Sequence, residues 1–370
     1  MQSTEEPLVQ LPRFYKNDML EGQYSIQCPI DKGGMSIIYQ AIDIRNHTNV
    51  AIKFMLPRNE NAKTAIILQR FRQEAEICKR LNHPNIIHIE SFGVYNSCPY
   101  IVMNYIQGQP ITEYVATHGS DNWLLQATLI QKIALALDYV HKEHITHRDI
   151  KPANILVSSD GEPILIDFGV AKSDETTQLN LTQKGEILGT VQYMPVEQIQ
   201  CQRDKIDGQT DIYSLGLILY ELLTKKMPYS SNTMEAVREK IFQKYPPFPT
   251  TINSNIPSIL EKITLHAIAQ QKKDRFATAG QFANALNQYT HLMPMFSWKN
   301  HLLQYKQKIL QLFHKKNDIA KILAQQNINT DDEATARIES KPWKKYTMLS
   351  FYTAPFKKLY NKFIVWKKFH

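Results

Sequence analysis

Five short segments in a fixed order constrain the fold of this chain more than any other feature. Along the chain they are Ile30–Tyr39, Val50–Lys53, Glu74, His147–Asn154 and Asp167–Gly169. Each alone is ordinary, because a Gly-Gly pair is usually a turn and a single Lys or Asp is usually a solvated surface charge. Together, at these separations, they are not expected by chance, and they indicate one site that combines cations, carboxylates and an amide.

Hydrophobic periodicity predicts an α+β protein with two lobes. Short apolar stretches bounded by Gly, Asn and Pro predict strands over Tyr24–Pro29, Ile37–Asp43, Val50–Phe54, Ile86–Tyr95 and Tyr100–Tyr105. Apolar residues at helical spacing predict helices over Lys63–Asn82, Trp123–His141, Asp211–Thr224 and Ser258–Ala269. We expect a small antiparallel β lobe with one helix, a larger and mainly α-helical lobe after Gly108, and a ligand cleft between them.

The composition excludes several classes of protein. The chain has 370 residues, of which 43% are hydrophobic and 13 are Gly, so it is neither disordered nor fibrous. Its 4 Cys residues lie far apart, which argues against a disulfide framework or a zinc site and favours a reducing compartment. Charged residues interrupt the first thirty positions, and no long apolar run occurs. We therefore expect no signal peptide, no transmembrane helix and a cytoplasmic location.

The net charge of +8 is concentrated at the end of the chain. Residues 291–370 hold 15 Lys+Arg and 5 Asp+Glu, a balance of +10, which leaves 28 and 30, a balance of −2, for residues 1–290. All 13 Gly residues lie between Gly22 and Gly280. Both shifts predict a domain boundary near residue 290.

The five segments resemble the motifs of the eukaryotic-type (Hanks-type) protein kinase family. Gly33-Gly34-Met35 and the amino-acid sequence of His147–Asn154 are most similar to its bacterial serine/threonine branch. The resemblance covers roughly residues 22–288. It implies the two-lobed protein kinase fold, ATP and Mg²⁺ as cofactors with Mn²⁺ as an alternative ion, and transfer of the γ-phosphoryl group to Ser or Thr hydroxyls of proteins.

The resemblance implies four catalytic residues. Lys53 is expected to cover the α- and β-phosphates, and Glu74 to hold the Lys53 ammonium by a charge-assisted hydrogen bond. Asp149 is the expected base for the acceptor hydroxyl, and Lys151 is expected to neutralise charge on the γ-phosphoryl group.

Two further residues are the expected metal ligands. Asp167 offers a carboxylate oxygen and Asn154 an amide oxygen, the hard donors that Mg²⁺ prefers.

The nucleotide is expected to contact the loop and the walls of the cleft. The residues implied are Ile30, Asp31, Lys32, Gly33, Gly34, Met35, Ser36, Ile37, Ile38, Ala51, Lys53, Met103, Asn104, Ile106 and Leu156. Adenine would lie between Ile38 and Ala51 above and Leu156 below, with Met103 in the gatekeeper place and the backbone of 104–106 at its edge. The alternative is that the apolar members are only core residues.

The sequence departs from the family pattern at two places. The three loop glycines of the family fall on Asp31, Gly33 and Ser36, so only the middle one is kept and Asp31 brings negative charge towards the phosphates. Nucleotide binding is still expected, because backbone N–H groups remain at Gly33 and the two residues that follow. The family's Ala-Pro-Glu is Pro195-Val196-Glu197 here.

Three residues are expected to have structural roles. Glu197 is expected to pair with Arg275 in a partly buried ion pair. Asp211 is similar to the family's central-helix aspartate, which holds the catalytic loop.

The polar stretch between Gly169 and Gly189 contains candidate phosphorylation sites. They are Thr176, Thr177 and Thr182, and Arg148 is the expected partner of an added phosphate. The alternative is a merely flexible polar loop.

The region after residue 288 predicts two different segments. Apolar spacing over Trp298–Gln326 predicts a long amphipathic helix that packs on the catalytic domain or pairs with a partner helix. Lys341–His370 holds eight Lys, no acidic residue and nine aromatic residues. This mixture suits an anionic membrane surface, which would make the protein peripheral at a membrane, or equally a fold-back or partner contact. Nucleic acid ranks below both.

The resulting hypothesis divides the chain into four parts. They are an N-terminal extension over 1–21, a catalytic domain over 22–288, an amphipathic helical extension over 289–340 and a basic aromatic tail over 341–370. The expected function is a serine/threonine protein kinase that autophosphorylates in its activation segment. The alternative is a pseudokinase or nucleotide-binding scaffold that acts through protein or membrane contacts.

Overall fold

The computed structural model describes residues 11–33, 36–55, 64–167, 191–231, 233–243 and 245–291. The chain divides into two units, Met1–Phe296 and Ser297–His370. The following predicted residues and segments lie outside the described part: Gly34, Met35, Phe168, Gly169, Thr176, Thr177, Thr182, Trp298–Gln326, Lys341–His370 and the side chain of Glu74.

Six antiparallel strands form the N-terminal lobe. They are β1 Met19–Leu20, β2 Tyr24–Lys32, β3 Ser36–Asp43, β4 Thr48–Met55, β5 Ile89–Tyr95 and β6 Cys98–Asn104. Their order across the sheet is β1-β2-β3-β4-β6-β5. The predicted antiparallel sheet is confirmed, but residues 86–88 lie before β5 rather than in it. Ile86 instead bridges to Leu165 of the other lobe, and Ile87 N–H donates to the Leu165 carbonyl at 2.9 Å.

The two faces of this sheet have different roles because side chains alternate along each strand. Tyr39 and Phe54 are buried in an aromatic cluster on one face, where Phe14 packs on both with ring centroids 5.5 and 5.4 Å away. Ile38 and Lys53, which are cross-strand partners, lie on the opposite face. The second face is therefore the one that carries the predicted site.

One helix interrupts the sheet sequence. Helix α1, Thr64–Lys79, follows β4 and packs against β5 and β6. The helix ends at Lys79 rather than at the predicted Asn82. The N–H groups of Arg80 and Leu81 donate to carbonyls three residues back, at 3.1 Å, which is the tightened geometry of a helix end.

The second lobe is mainly helical. Its helices are α2 Ile111–His118, α3 Trp123–Lys142, α4 Val196–Ile199, α5 Gly208–Thr224, α6 Met234–Gln243, α7 Pro249–Ile252, α8 Ser258–Ala267 and α9 over residues 279–291. Helix α5 is buried along nearly its whole length and packs against α3 and α8. It begins with a capping box between Asp207 and Thr210 and ends at Thr224, after which the C-cap residue Lys225 has a φ of 58°.

A small second sheet lies beside these helices and was not predicted. Its strands are β7 Gly108–Pro110, β8 Ile155–Ser158 and β9 Pro163–Leu165, in the order β7-β8-β9. Glycine is required at position 108, because a Cβ atom there would lie 2.4 Å from the Val157 carbonyl oxygen. Asn154 directly precedes β8 and Asp167 closely follows β9, so this sheet positions both predicted metal ligands.

No helix within the described ranges is both long and apolar enough to cross a bilayer.

Candidate active site

Lys53 and Asp167 form an ion pair across the two lobes. Lys53 lies on β4, and its Nζ is 2.6 Å from Oδ1 of Asp167, with 16% and 27% of the side chains exposed. Asp167 has a φ of 59°, an uncommon value for a non-glycine residue that the surrounding structure must hold in place. A cation and a carboxylate are thus fixed at one point of the cleft.

Asp149 lies in a second cluster with Asn154 and Lys151. Asn154 Nδ2 donates to Oδ2 of Asp149 at 3.0 Å and to the Asp149 carbonyl at 2.8 Å. Lys151 Nζ lies 3.3 Å from the same Oδ2. Because Asn154 is buried and fixes both the backbone and the carboxylate of Asp149, the direction of that carboxylate is well determined.

His147 connects the two clusters. Its Nε2 lies 3.1 Å from the Ile166 carbonyl, which can only accept, so Nε2 carries the proton. Its Nδ1 accepts the backbone N–H of Asp149 at 3.3 Å. The Ile166 N–H also donates to the Asn154 carbonyl at 2.9 Å. The backbone before Asp167 is therefore tied directly to the loop that carries Asp149.

Asp211 holds this loop from helix α5. Its two carboxylate oxygens accept the backbone N–H groups of His147 and Arg148, each at 2.9 Å, and His141 Nε2 lies 2.8 Å from Oδ2. Asp211 is 1% exposed. Arg148 has a φ of 65°, so these bonds hold a loop in a backbone conformation that is disfavoured on its own.

Glu197 and Arg275 form a buried bidentate pair. The distances are 2.7 Å from Nη1 to Oε1 and 3.1 Å from Nη2 to Oε2, and the two side chains are 4% and 0% exposed. Arg275 also donates to the carbonyls of Ala269, Gln209 and Gln270. The pair joins helix α4 to the segment before α9.

Tyr193 and Glu221 form another partly buried pair near α4. The Tyr193 hydroxyl donates to Oε2 of Glu221 at 2.6 Å. Burial raises the pKa of the Glu221 carboxyl, and the hydrogen bond from Tyr193 partly opposes this shift. Burial likewise raises the pKa of the Tyr193 hydroxyl.

The structure corrects two expectations for the nucleotide loop. Ile37 is buried in the aromatic cluster on the far face of the sheet, so its side chain does not face the cleft. The N–H of Gly33 donates to the Ser36 carbonyl at 2.9 Å and closes the hairpin, so it is already occupied. At the start of this hairpin, Asp31 and Lys32 are exposed, and Ile30 is 47% exposed.

The predicted adenine-lining residues are distributed over four strands and the segment after β6. Ala51 and Met103 are cross-strand partners, each 8% exposed, and Ile38 and Ile106 pack against the same hydrophobic cluster. Leu156 is half-buried on β8.

At the predicted adenine edge, the backbone N–H of Asn104 is already hydrogen-bonded. Asn104 N–H donates to the His88 carbonyl at 3.2 Å. The Asn104 side chain is exposed.

The donor set fits a divalent cation and phosphates. Asp167 and Asn154 carry hard oxygens on adjoining loops, and Lys53 brings a cation to the same carboxylate. Asp149 with Lys151 completes an arrangement that can orient a hydroxyl next to a phosphoryl group.

Three positioning residues were missed by the sequence interpretation. They are His141 and His147, described above, and Gln198, whose Nε2 donates to the Arg148 carbonyl at 2.8 Å. His147 is the first residue of a segment that the motifs had already singled out. It is completely buried, whereas a loop histidine without hydrogen-bond partners would be exposed. His141 and Gln198 carry no local signal, because their partners lie 70 and 50 residues away.

Comparisons with known proteins agree with this geometry. The model of the protein kinase domain family matches residues 24–288. The chain is 32% identical over 277 residues to the probable serine/threonine-protein kinase PknB of Bifidobacterium longum, covering 72% of this chain and 40% of that protein. It is 34% identical over 260 residues to the serine/threonine-protein kinase PrkC of Bacillus subtilis, covering 70% and 39%.

A solved structure shows the same fold. The PknI kinase domain of Mycobacterium tuberculosis superimposes with a TM-score of 0.58 at 23% identity, covering 75% of this chain and 99% of that domain. The chain spans about 40% of the length of the curated relatives named above. The match over residues 24–288, with the two-lobed fold and the site just described, shows that the chain belongs to the protein kinase domain family.

Proposed function

We propose that this chain transfers the γ-phosphoryl group of ATP, complexed with Mg²⁺, to Ser or Thr hydroxyls of proteins. The observation that carries the proposal is the double attachment of Asn154. Its side chain fixes Asp149, and its carbonyl holds the strand end that presents Asp167. A pseudokinase scaffold would not need this coupling of an acceptor-side carboxylate to a phosphate-side carboxylate.

The acceptor side of the reaction is assigned to Asp149 and Lys151. The Asp149 carboxylate orients the incoming hydroxyl and takes its proton at an oxygen whose position Asn154 fixes. Lys151 already lies 3.3 Å from Asp149, so its ammonium can balance charge that develops between the hydroxyl and the phosphoryl group.

The phosphate side is assigned to Lys53, Asn154 and Asp167. When bound there, a divalent cation, Mg²⁺ rather than Mn²⁺ in our proposal, would neutralise phosphate charge. Lys53 orients the α- and β-phosphates, and its pairing with Asp167 keeps its ammonium directed into the cleft. We retain Glu74, on helix α1, as a second partner for Lys53.

The acceptor would enter over a small hollow beside Asp149. Its lining includes Asp149, Ile150, Met194 and Gln198. The hollow is lined mainly by polar groups of the Asp149 loop and by Gln198, which offer hydrogen bonds to an acceptor residue.

Transfer of labelled phosphate tests the proposal. Wild type, Asp149→Asn and Lys53→Met are incubated with γ-labelled ATP, Mg²⁺ or Mn²⁺, and a generic basic protein. We expect labelling on Ser or Thr by wild type and a loss of at least about 100-fold in both variants. The matched control is Lys132→Met, which removes a lysine whose salt bridge to Glu162 lies outside the site. Equal labelling by all four proteins would overturn the proposal.

Autophosphorylation in the activation segment is part of the same proposal. Thr176, Thr177 and Thr182 are close together in the sequence of a polar stretch, and each phosphate would add about −1.5 to −2 charge. Peptide mapping after incubation with Mg-ATP should place phosphate on one of them. Phosphate found only at other residues, or no phosphate on an enzyme that is active towards its substrate, would contradict autophosphorylation in the activation segment.

For the basic aromatic tail, residues 341–370, we propose contact with an anionic membrane surface. The eight Lys residues and nine aromatic residues, without an acidic one, match the charge and amphipathic character that such surfaces select. In a flotation assay, the full chain should float with anionic vesicles, and a chain that ends at residue 290 should not. Equal recovery of both would favour a fold-back or partner-helix contact instead.

A further inference from the structure

Asp31, Ile38 and Lys53 lie in one row across the sheet. Asp31 is the cross-strand partner of Ile38 on β3, and Ile38 is the partner of Lys53 on β4. Directly opposed residues project their side chains to the same face of a sheet. Two strand spacings of about 4.8 Å each place Asp31 about 10 Å from Lys53, on the face that meets Asp167.

A β-bulge puts Asp31 in this row. The pairing passes from Pro29 opposite Tyr39 to Asp31 opposite Ile38, so Ile30 is the extra residue. In a regular ladder without the bulge, Ile30 would oppose Ile38 and Asp31 would oppose Ile37, whose side chain belongs to the buried aromatic cluster. The bulge therefore directs the carboxylate of Asp31 to the cleft face rather than into the core.

The carboxylate also takes part in the hydrogen bonding of the hairpin. Oδ1 of Asp31 accepts the backbone N–H of Lys32 at 2.8 Å, while the N–H of Gly33 donates to Ser36. Two backbone donors that could otherwise face an anion are thus occupied. A polyphosphate at Lys53 meets a fixed negative charge at this end of the row.

We propose that Asp31 is a specificity-determining residue that selects the cation-complexed nucleotide over the free polyanion. The inference rests on the proposed function, since it concerns the nucleotide of that reaction. Repulsion between unit charges about 10 Å apart in a water-like medium lowers affinity about twofold per ligand charge. The penalty is about fourfold for Mg-ATP, near −2, about 15-fold for metal-free ATP, near −4, and absent for adenosine.

Binding of three ligands to two matched variants tests this charge dependence. Adenosine, Mg-ATP and ATP with EDTA are titrated calorimetrically into the full chain at low salt. Asp31→Asn removes the charge and keeps an oxygen that can accept the Lys32 N–H. Asp204→Asn makes the same change in charge at an exposed position of the helical lobe.

We expect Asp31→Asn to increase the affinity for Mg-ATP about fourfold and that for metal-free ATP about 15-fold, and to leave the affinity for adenosine unchanged. Asp204→Asn should bind all three ligands as wild type does. Salt at 0.3 M should shrink both gains. Equal changes for all three ligands, weaker binding of ATP, or the same gains in Asp204→Asn would overturn the inference.

The adenosine titration separates this inference from the proposed function. If wild type binds neither adenosine nor ATP, the proposed function fails. If it binds both and Asp31→Asn leaves their ratio unchanged, only the role of Asp31 fails. Thermal unfolding of each variant verifies that the exposed substitution leaves the protein folded.

Discussion

The guanidinium of Arg275 donates two hydrogen bonds to the carboxylate of Glu197, and neither side chain is more than 4% exposed. Two charges that have been removed from water depend on one another, because each alone would be an uncompensated buried ion. The remaining donors of Arg275 are taken by carbonyls of Ala269, Gln209 and Gln270. The pair is therefore a fixed joint between α4 and the C-terminal helices rather than an adjustable surface contact.

Breaking this pair should destabilise the protein strongly. Glu197→Gln leaves the Arg275 charge uncompensated, and we expect a loss of about 3–5 kcal/mol in the free energy of unfolding. The control is Lys132→Met, which breaks an exposed pair with Glu162 and should cost about 0.2–1 kcal/mol. Urea unfolding monitored by circular dichroism measures both. Similar losses in the free energy of unfolding for the two variants would contradict the role of the Glu197–Arg275 pair as a fixed structural contact.

Asp211→Asn should impair catalysis more than stability. The amide of Asn can accept at one oxygen only, so one of the N–H groups of His147 and Arg148 loses its partner. An unsatisfied buried donor costs about 1–3 kcal/mol, whereas a shift of about 1 Å in the Asp149 loop costs about 100-fold in rate. Steady-state kinetics with saturating Mg-ATP, beside a melting curve, measures both quantities. An unchanged kcat in a destabilised variant would assign Asp211 a purely structural role.

The elements with strong periodicity could be predicted from the sequence, and the short ones could not. Helix α5 and the strands that carry Ile38 and Lys53 follow from apolar spacing, which is a local property. The three-residue strands β7 and β9 are too short to show a period. They are defined by partners elsewhere in the chain, as residues 86–88 are by Leu165.

The candidate site divides in the same way. The residue types needed for phosphoryl transfer could be read from the motifs, including Lys53 and Asp167. Their pairing at 2.6 Å depends on how the two lobes meet, and that is set by contacts between distant segments. The occupied N–H of Gly33 and the side of the sheet on which Ile37 lies depend on register and on a bulge, neither of which has a signature in one sequence.

Glu221→Gln should remove a pH-dependent loss of stability. Burial raises the folded-state pKa of Glu221 above its ordinary value of 4.5, so the folded protein binds this proton more tightly than the unfolded chain does. Its contribution is therefore most favourable below pH 4.5 and declines as pH rises through the raised pKa. The amide keeps an oxygen for the Tyr193 hydroxyl. Melting temperatures from pH 4 to 8 should show the melting temperature of the variant rising relative to that of wild type as the pH increases. A difference between the two melting temperatures that stays constant, or that shifts in favour of wild type, would refute this.

Asp43 should have the opposite pH dependence. The Arg45 side chain, with help from the Arg45 N–H and Gln23, lowers the pKa of Asp43 from 3.8 to about 2, although burial opposes the shift. Because the folded-state pKa is depressed, the stabilisation is complete above pH 3.8 and is lost as pH falls through about 2. Asp43→Asn should therefore melt below wild type at pH 5–7, with a difference that closes near pH 2. Arg45→Gln should make this acid-dependent loss of stability smaller, because the folded-state pKa of Asp43 then lies closer to 3.8. A difference between Asp43→Asn and wild type that stays constant from pH 7 to 2 would show that the Asp43 charge contributes nothing.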